Sequence, residues 1–421
     1  LLCFTQNDHT GQTGIKICSF LKWAQLTIMN ILFFYRIYPE YGGVEVVTTV
    51  LANRFVKDGH KVVIASIEQP HPELKDQLDS SIELVKLKYP VTCKQNITQL
   101  HQVIKDKVID IIINQWGLPF KTTMLCNKAI KGTSCKLISV LHGSPYTSKV
   151  LLNAQKSYRD SHGLTRICKY LKYVAIDKVI RWSIRYNVAH NEQYILLSPG
   201  FIKPLIDYAH LKSANNVIAI GNPITIDIKD DLIDIEHKKN QLLYVGRMDL
   251  TNKNVNRIVE TWGKIWKKYP DWKLLLVGDG PDKQYLVDYV HDNKIQNIEF
   301  KGFQKDPPIK YYAESSVFIL TSDLEGFGLV VIESMSYGMV PIVYGSYEAI
   351  FDIIEKNESG FILPKPFSHK DLADKLDLLI QDRDFRVKMA YQAKERAKMF
   401  CLDSIVDRWY KLFGELMEER E

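Results

Sequence analysis

Short apolar runs of strand length alternate with segments of helical length along the chain from Met29 onward. In the first half of the chain the predicted strands are 30–36, 61–66, 82–87, 108–114, 135–141, 194–197 and 216–220, and 44–57 is a predicted helix. Strands that alternate with helices form a parallel sheet with helices on both faces. The alternation therefore predicts an α/β fold of doubly wound parallel sheets.

The length of the chain predicts two such sheets. A chain of 421 residues exceeds one ordinary domain, so two domains of roughly 200 residues are expected. Asn222-Pro223 is a turn signal, and the charged stretch that follows, 225–240, is interpreted as a linker. Predicted strands resume at 241–245, 272–277, 298–301 and 317–320. We predict a first domain at 29–224, a second at 225–402, and a terminal amphipathic helix within 403–421.

Residues 1–28 are treated separately because they do not share this pattern. Lys16, Lys22 and Gln25 interrupt any membrane span, and the small-residue cleavage pattern of a signal peptide is absent. Met29 stands directly before the first predicted strand. We expect Met29 to be the natural start, and residues 1–28 to be a non-native leader or a disordered tail.

Composition excludes several classes of protein. A hydrophobic content of 46% with 25% charged residues describes a globular protein with sizeable cores. The net charge of +6 is modest for this length and suits anions such as nucleotide diphosphates or acidic lipids, without requiring nucleic acid. Seven scattered cysteines without a C-x-x-C pair favour a reducing cytoplasm and argue against a zinc site.

The segment 316–341 reads as a strand, a tight turn and a helix. Such a turn lies at the carboxyl end of a parallel strand, where α/β proteins bind ligands. Gly326 and Gly328 allow close approach of the backbone to a ligand, and the amides that open the helix can receive an anion. Glu325 precedes the glycines and Glu333 lies in the helix, so both can meet one elongated ligand. Taken alone, two such acids are more often a solvated loop acid and the polar side of an amphipathic helix.

The E-x7-E spacing, the E-G-F-G-L turn and the small-residue helix after it resemble the retaining glycosyltransferases of family 4, which have the GT-B fold. The resemblance covers most of the chain from Met29. It implies two Rossmann-like domains around a central cleft, with the terminal helix packed back on the first domain. It also implies that Glu325 contacts hydroxyls of the donor sugar and that Glu333 holds the nucleotide ribose, with Gly326, Phe327, Gly328 and Leu329 in the donor site.

Two cations follow the first predicted strand of the second domain. Arg247 and Lys253 lie where the diphosphate of a nucleotide sugar needs neutralisation, since arginine grips phosphate bidentately and lysine acts as a point charge. The resemblance implies that both bind the diphosphate, although the interval between them is one residue longer than in the commonest family form. No D-x-D follows an apolar strand, so we expect no metal and no other cofactor.

Two motifs of the first domain point at the same cleft. Gly42-Gly43 forms a turn before the first helix, and the absence of G-x-G-x-x-G there removes the main support for a nicotinamide enzyme. His142 follows a predicted strand at its carboxyl end. The resemblance implies that the glycines lie near donor phosphate or acceptor, and that His142 lies near the sugar with a hydrogen-bonding role. An ordinary turn and a structural histidine are the alternatives.

Residues 164–190 form the most basic helical segment. Six basic residues are balanced by Asp177 alone, with aromatic residues interleaved. One interpretation is an amphipathic helix that packs its aromatic residues on the first domain with the lysines solvated. The other is peripheral docking to an anionic membrane surface, which suits a lipid-linked acceptor.

We therefore predict a cytoplasmic, metal-independent, retaining glycosyltransferase, located at the inner face of the cell membrane if the helix docks there. It would move a sugar from a UDP- or GDP-sugar to a glycan or lipid-linked acceptor in surface polysaccharide or glycolipid synthesis. The alternatives are a GT-B nucleotide-sugar epimerase and a non-catalytic nucleotide-sugar-binding subunit. Nucleic-acid binding is not expected, because the basic residues concentrate in one helix without a recognised module.

Overall fold

A computed structural model describes residues 28–418. The expectations for the leader, apart from Ile28, concern residues outside this described part. Within it, the chain forms two parallel sheets, one after the other, each flanked by helices.

The first sheet has seven parallel strands in the order β3-β2-β1-β4-β5-β6-β7. Its strands are β1 Asn30–Ile37, β2 Lys61–Glu68, β3 Glu83–Lys86, β4 Ile111–Asn114, β5 Lys136–Leu141, β6 Gln193–Leu196 and β7 Val217–Ala219. The helices between them are α1 Gly43–Lys57, α2 Lys94–Asp106, α3 Phe120–Ala129, α4 Lys149–Arg159, α5 Gly163–Ala189 and α6 Ile202–Ala209.

The second sheet has six parallel strands in the order β10-β9-β8-β11-β12-β13. Its strands are β8 Lys239–Val245, β9 Lys273–Val277, β10 Ile298–Gly302, β11 Ser315–Leu320, β12 Val340–Tyr344 and β13 Phe361–Leu363. The helices of this half are α7 Val255–Ile265, α8 Lys283–Asp292, α9 Ile309–Glu314, α10 Leu329–Ser336, α11 Ala349–Ile353, α12 His369–Gln381, α13 Arg383–Ala397 and α14 Leu402–Glu418.

The first sheet is buried on both faces. Along β1, Ile31 and Phe33 belong to one hydrophobic core, whereas Leu32 and Phe34 belong to a second. Because side chains alternate across a strand, helices must cover both faces of the sheet. Burial on both faces explains why the strands read as continuous apolar runs in the sequence, without alternating polar residues.

Helix α14 returns to the first domain. Tyr410 and Phe413 of α14 lie 5.6 and 5.7 Å from the ring of Phe55 in α1. The Tyr410 hydroxyl donates a hydrogen bond of 2.7 Å to Asp58, and Asp403 forms an ion pair with Arg54. The chain therefore passes between the two halves twice, once before β8 and once before α14.

Predicted boundaries differ from the observed ones by three residues at β4 and by two at β2, β8 and β11. The strand expected from residue 108 begins at Ile111, because Val108 has a positive φ of 48° and is exposed. The linker expected at 225–240 ends earlier, since β8 already begins at Lys239. Strands β12 and β13 are additions to the predicted set; the apolar run of β13 is three residues long and too short to stand out in the sequence.

Candidate functional site at the interdomain cleft

Loops at the carboxyl ends of the two sheets meet. A Cβ added to Gly326, which follows β11, would lie 2.4 Å from the carbonyl oxygen of His142, which follows β5. A Cβ added to Gly43 would lie 3.0 Å from the Leu329 side chain at the start of α10. The approach at Gly326 is to backbone and needs a residue without a side chain, whereas the Leu329 side chain near Gly43 could shift by a few tenths of an ångström. Glycines of both motifs therefore stand where the two halves touch. A cleft at the carboxyl ends of parallel strands is where such folds bind ligands.

Lys253 and Glu325 form an ion pair beside this cleft. The Lys253 Nζ lies 2.5 Å from Glu325 Oε1, and the two side chains are 21% and 13% exposed. Each group therefore neutralises the other in a largely enclosed position. An anionic ligand that approaches Lys253 would meet a cation already held in place by Glu325.

The loop that carries Lys253 is fixed by bonds of its own. Asp249 Oδ1 accepts the backbone N–H groups of Asn252 and Lys253, at 2.7 and 3.0 Å. The backbone N–H of Asp323 donates to the carbonyl of Asn252 at 2.7 Å. The loop after β8 and the loop after β11 are thus bound to each other.

Arg247 is held through its backbone while its side chain reaches solvent. Its carbonyl accepts a hydrogen bond of 2.8 Å from the Tyr244 hydroxyl. Its side chain is 63% exposed, and Nε lies 4.0 Å from Asp249 Oδ2. Most of the guanidinium remains accessible to an anion.

Glu333 is the most enclosed acid of the site. It lies in α10 and is 7% exposed. Thr225 Oγ1 donates a hydrogen bond of 2.7 Å to one carboxylate oxygen, and the Tyr312 hydroxyl donates one of 3.1 Å to the other. Burial raises the pKa of Glu333, and the two hydrogen bonds oppose that shift. Thr225 lies in the connection between the two halves, before β8. Its hydrogen bond therefore ties Glu333 of α10 to that connection.

His142 is neutral at physiological pH. Burial lowers the pKa of His142 to about 3. Its Nε2 pairs with Gln115 Oε1, so that Nε2 carries the proton and donates it to the amide oxygen. Its Nδ1 is buried and has no hydrogen-bond partner within residues 28–418. The ring therefore offers an acceptor, which suits a ligand hydroxyl.

The remaining glycines and apolar residues of the two motifs have packing roles. The carboxylate of Glu45 folds back over Gly42, since a Cβ there would lie 2.1 Å from Glu45 Oε2. Phe327 is buried, and its ring lies 5.7 Å from that of Phe400. Its ring also lies 3.1 Å from a Cβ placed on Gly221. Phe327 thus packs at the domain junction.

The structure brings most of the predicted site residues to one cleft. The residues with direct cross-cleft or ion-pair contacts there are Gly43, His142, Lys253, Glu325, Gly326 and Leu329. Arg247 extends to solvent at its edge, Gly328 caps α10, and Glu333 lies behind the turn.

Sequence reasoning missed four residues that hold or line this site: Gln115, Thr225, Tyr312 and Tyr347. Gln115 follows the buried strand β4, so the position after a strand was an available signal. Thr225 was assigned to the linker, and no pattern distinguishes Tyr312 or Tyr347 from core aromatic residues.

Helix α5 has two different halves. Towards its carboxyl end Trp182 packs against Phe120 at 4.6 Å, and Arg181 binds Asp177 and the carbonyl of Tyr208. Residues 163–172 are all exposed, including Leu164 at 81% and Leu171 at 61%. Within residues 28–418 no helix combines the length and the apolarity needed to cross a membrane.

Relatives of this chain in sequence include two proteins named as glycosyltransferases. An uncharacterized glycosyltransferase of Haemophilus influenzae is 25% identical over 385 residues, which cover 90% of this chain and 98% of that protein. The GalNAc-alpha-(1->4)-GalNAc-alpha-(1->3)-diNAcBac-PP-undecaprenol alpha-1,4-N-acetyl-D-galactosaminyltransferase of Campylobacter jejuni is 30% identical over 180 residues, 42% of this chain and 49% of that protein.

Solved structures share the fold. A glycosyltransferase from Rickettsia africae superimposes with a TM-score of 0.72 and 18% identity over 93% of this chain and 99% of that one. The Anabaena protein Alr3699/HepE, in complex with UDP and glucose, superimposes with a TM-score of 0.68 and 17% identity over 92% of this chain and 99% of that one. Residues 226–396 match the family model of glycosyl transferases group 1. The second half of the chain thus has the sequence pattern of glycosyl transferases group 1, and the two halves together have the GT-B fold.

Proposed function

We propose that this chain is a retaining glycosyltransferase of family 4 that transfers a sugar from a UDP- or GDP-sugar to a glycan or lipid-linked acceptor. The observation that carries the proposal is the Lys253–Glu325 pair at the cleft, with Arg247 exposed at its edge. This arrangement offers cations for a diphosphate and a carboxylate for sugar hydroxyls in one place. The names of the relatives and the Anabaena complex with UDP and glucose support the same reaction class.

In the proposed reaction, the donor diphosphate binds between Arg247, Lys253 and the first amides of α10. The acceptor hydroxyl attacks the anomeric carbon on the face from which the diphosphate leaves, and its proton passes to the leaving phosphate. Negative charge grows on the diphosphate as the glycosidic bond breaks, and the two cations stabilise that charge. The chain contributes position and charge without a metal, and neither carboxylate has to act as a nucleophile.

His142 and Glu325 are assigned to the sugar and Glu333 to the ribose. Neutral His142 presents Nδ1 as an acceptor for a sugar hydroxyl. A His142 that stays neutral is a poor general acid, so its proposed role is orientation.

Thermal stabilisation of the purified protein by UDP- and GDP-sugars, with EDTA present, tests the donor site. A ligand that binds the native state alone raises its apparent stability with the logarithm of its concentration over Kd. We expect a shift with one nucleotide series that is lost in Glu333→Ala and kept in Glu299→Ala, a surface acid of the same domain that pairs with Lys273 and Lys301. No shift with any nucleotide, with or without Mg²⁺, contradicts the proposal.

Product analysis separates the alternatives. A retaining transferase gives a glycoside with the donor's anomeric configuration, and an inverting one gives the opposite configuration. An epimerase returns an altered nucleotide sugar without any acceptor. Binding without either product identifies a non-catalytic subunit.

The acceptor side carries the proposed membrane contact. The exposed half of α5 presents Leu164, Ile167 and Leu171 beside basic residues, on a helix about 40 Å long at ~1.5 Å per residue. Apolar side chains enter the interface of a bilayer, and each basic residue near anionic lipid adds about 1 kcal/mol. We propose that this half docks peripherally on an anionic membrane, which brings the cleft of a cytoplasmic enzyme near a lipid-linked acceptor.

Vesicle sedimentation tests the docking. Wild-type protein should bind phosphatidylglycerol vesicles, lose that binding at high salt, and ignore phosphatidylcholine vesicles. Leu164→Ser with Leu171→Ser should weaken binding, whereas Val108→Ser, at an exposed apolar residue on another surface, should not. Equal binding by both variants contradicts a role for α5.

A further inference from the structure

Tyr347 buries a hydroxyl group to which no described residue forms a hydrogen bond. The residue lies between β12 and α11 and is 2% exposed. Its Oη has no partner in the part of the chain that the structure describes. Proteins rarely leave a buried hydroxyl unsatisfied, because the group has lost its water without any replacement. Such a group in a ligand cleft is expected to bind the ligand.

The hydroxyl points at the amino end of α10. A Cβ on Gly328 would lie 2.6 Å from Tyr347 Oη. Gly328 is the residue that caps α10; it has a φ of +96°, and no side chain caps the helix there. The first amides of a helix attract anions when no side chain satisfies them. Tyr347 thus adds a directed O–H donor to a helix end suited to a negatively charged group.

The segment that carries Tyr347 is held on both sides. The Ser346 hydroxyl donates to the carbonyl of Ser322 at 2.6 Å, which ties it to the loop after β11. The Tyr146 hydroxyl of the first domain donates to Glu348 at 2.5 Å. Both neighbours of Tyr347 are therefore fixed, so its hydroxyl is held over Gly328.

The phenol stays protonated. Burial, and after it the charge of Glu325, raise the pKa of Tyr347 well above its ordinary value. The hydroxyl lies over Gly328, in the same turn as Glu325, the acid assigned above to the sugar, whereas Glu333 lies deeper in α10. A neutral phenol in this position can donate to an anion and cannot repel it.

We propose that Tyr347 donates a hydrogen bond, together with the first amides of α10, to the phosphate that carries the sugar. The inference rests on the proposed function, because it takes the ligand to be a nucleotide-diphosphate sugar. The contact strengthens as the bond between the sugar and this phosphate breaks, since charge then collects on the phosphate oxygen. No proton leaves Tyr347.

Tyr347→Phe removes the hydroxyl and keeps the ring. Because the hydroxyl has no partner to lose among residues 28–418, the variant should melt at the same temperature as the wild type or slightly higher. The matched control is Tyr194→Phe, whose buried hydroxyl donates to the carbonyl of Gly117 at 3.1 Å in the first domain. That variant should melt at a lower temperature and bind nucleotide normally.

The binding measurement compares UDP with UMP, and GDP with GMP, by titration calorimetry. Tyr347→Phe should weaken binding of the diphosphate that the wild type prefers by about ten- to a hundred-fold, as expected for loss of a hydrogen bond to a charged group. It should leave binding of the matching monophosphate unchanged, because that ligand lacks the second phosphate.

Three outcomes overturn the inference. Equal diphosphate affinity in Tyr347→Phe and wild type refutes the role of Tyr347 and leaves the proposed function standing. A matching loss for mono- and diphosphate refutes the assignment to the sugar-bearing phosphate. Absence of diphosphate binding by the wild type refutes the proposed function and this inference together.

Discussion

The two faces of the cleft are built differently. On the second-domain face the polar side chains bind one another: Lys253 pairs with Glu325, and both oxygens of Glu333 accept hydrogen bonds. On the first-domain face the corresponding positions are glycines at 42 and 43, and one ring nitrogen of His142 has no hydrogen-bond partner in the described part of the chain. A site whose charges are fixed before the ligand arrives pays less reorganisation when it binds. Under the proposed function, the second domain therefore suits a constant ligand, the nucleotide sugar, and the first domain suits a variable one.

The largest effect should come from the charges of the second face. Glu325→Ala and Arg247→Ala should each reduce transfer by about a hundred- to a thousand-fold, as for the loss of one strong electrostatic contact to the transition state. Steady-state transfer assays with melting curves would measure this. The control is Arg383→Ala, a half-exposed arginine of the same domain that pairs with Glu236. Wild-type turnover in Glu325→Ala or in Arg247→Ala would show that the replaced residue does not belong to the site.

The contact between the faces can be broken separately. Gly326→Ala places a Cβ 2.4 Å from the His142 carbonyl, so the two domains must move apart. We expect transfer to fall by about a hundred-fold through misplacement of the reactants, with little change in the melting temperature. Gly143→Ala is the matched control, because a Cβ there meets nothing within 4 Å. Equal activity in the two variants would mean that close approach at Gly326 is unimportant.

The preset geometry of the second face depends on the bonds to Glu333. Thr225→Val keeps the shape of the side chain and removes one donor from a buried carboxylate, which should cost about 1–3 kcal/mol of unfolding free energy. Urea denaturation would measure it. The pKa of Glu333 should rise further in the variant, because the hydrogen bond from Thr225 lowers that pKa in the wild type. No change in stability would show that the carboxylate is satisfied in another way.

The smallest effect belongs to His142 on the first face. Its folded pKa of about 3 lies below its ordinary value of 6.5. Between these values the unfolded chain binds a proton that the folded chain excludes, so stability is full above the ordinary value and falls as the pH drops toward the lower one. His142→Asn should therefore lose less stability than wild type between about pH 7.5 and about pH 5, by roughly 1–2 kcal/mol. Denaturation curves of both proteins at the two pH values would measure this. An equal change in stability for wild type and variant would show that the ring is not buried in its neutral form.

The sequence predicted the alternating strands and helices of the fold. It also predicted the strand, turn and helix of 316–341, which carry much of the candidate site. Runs such as 317–320 are strands that are buried on both faces of the sheet, and Gly326 of the turn after β11 stands where backbone meets backbone. Thr225 could not be found in this way, because it acts through Glu333, 108 residues further along the chain. Tyr347 could not be found either, because its burial over Gly328 is visible only in the fold, whereas the position of Gln115 directly after a strand was a signal that went unused. The start of β4 was misplaced because Val108 is apolar yet adopts a turn conformation, which its side chain does not reveal.

The return of α14 to the first domain has a consequence for biosynthesis. Phe55 and Asp58, in and just after α1, are covered by Tyr410 and Phe413. A chain made from its amino end exposes this apolar surface while the whole second domain is translated. The first domain thus completes its core only after the second has emerged from the ribosome. If translation ends before residue 402, this apolar face stays uncovered and is prone to aggregate.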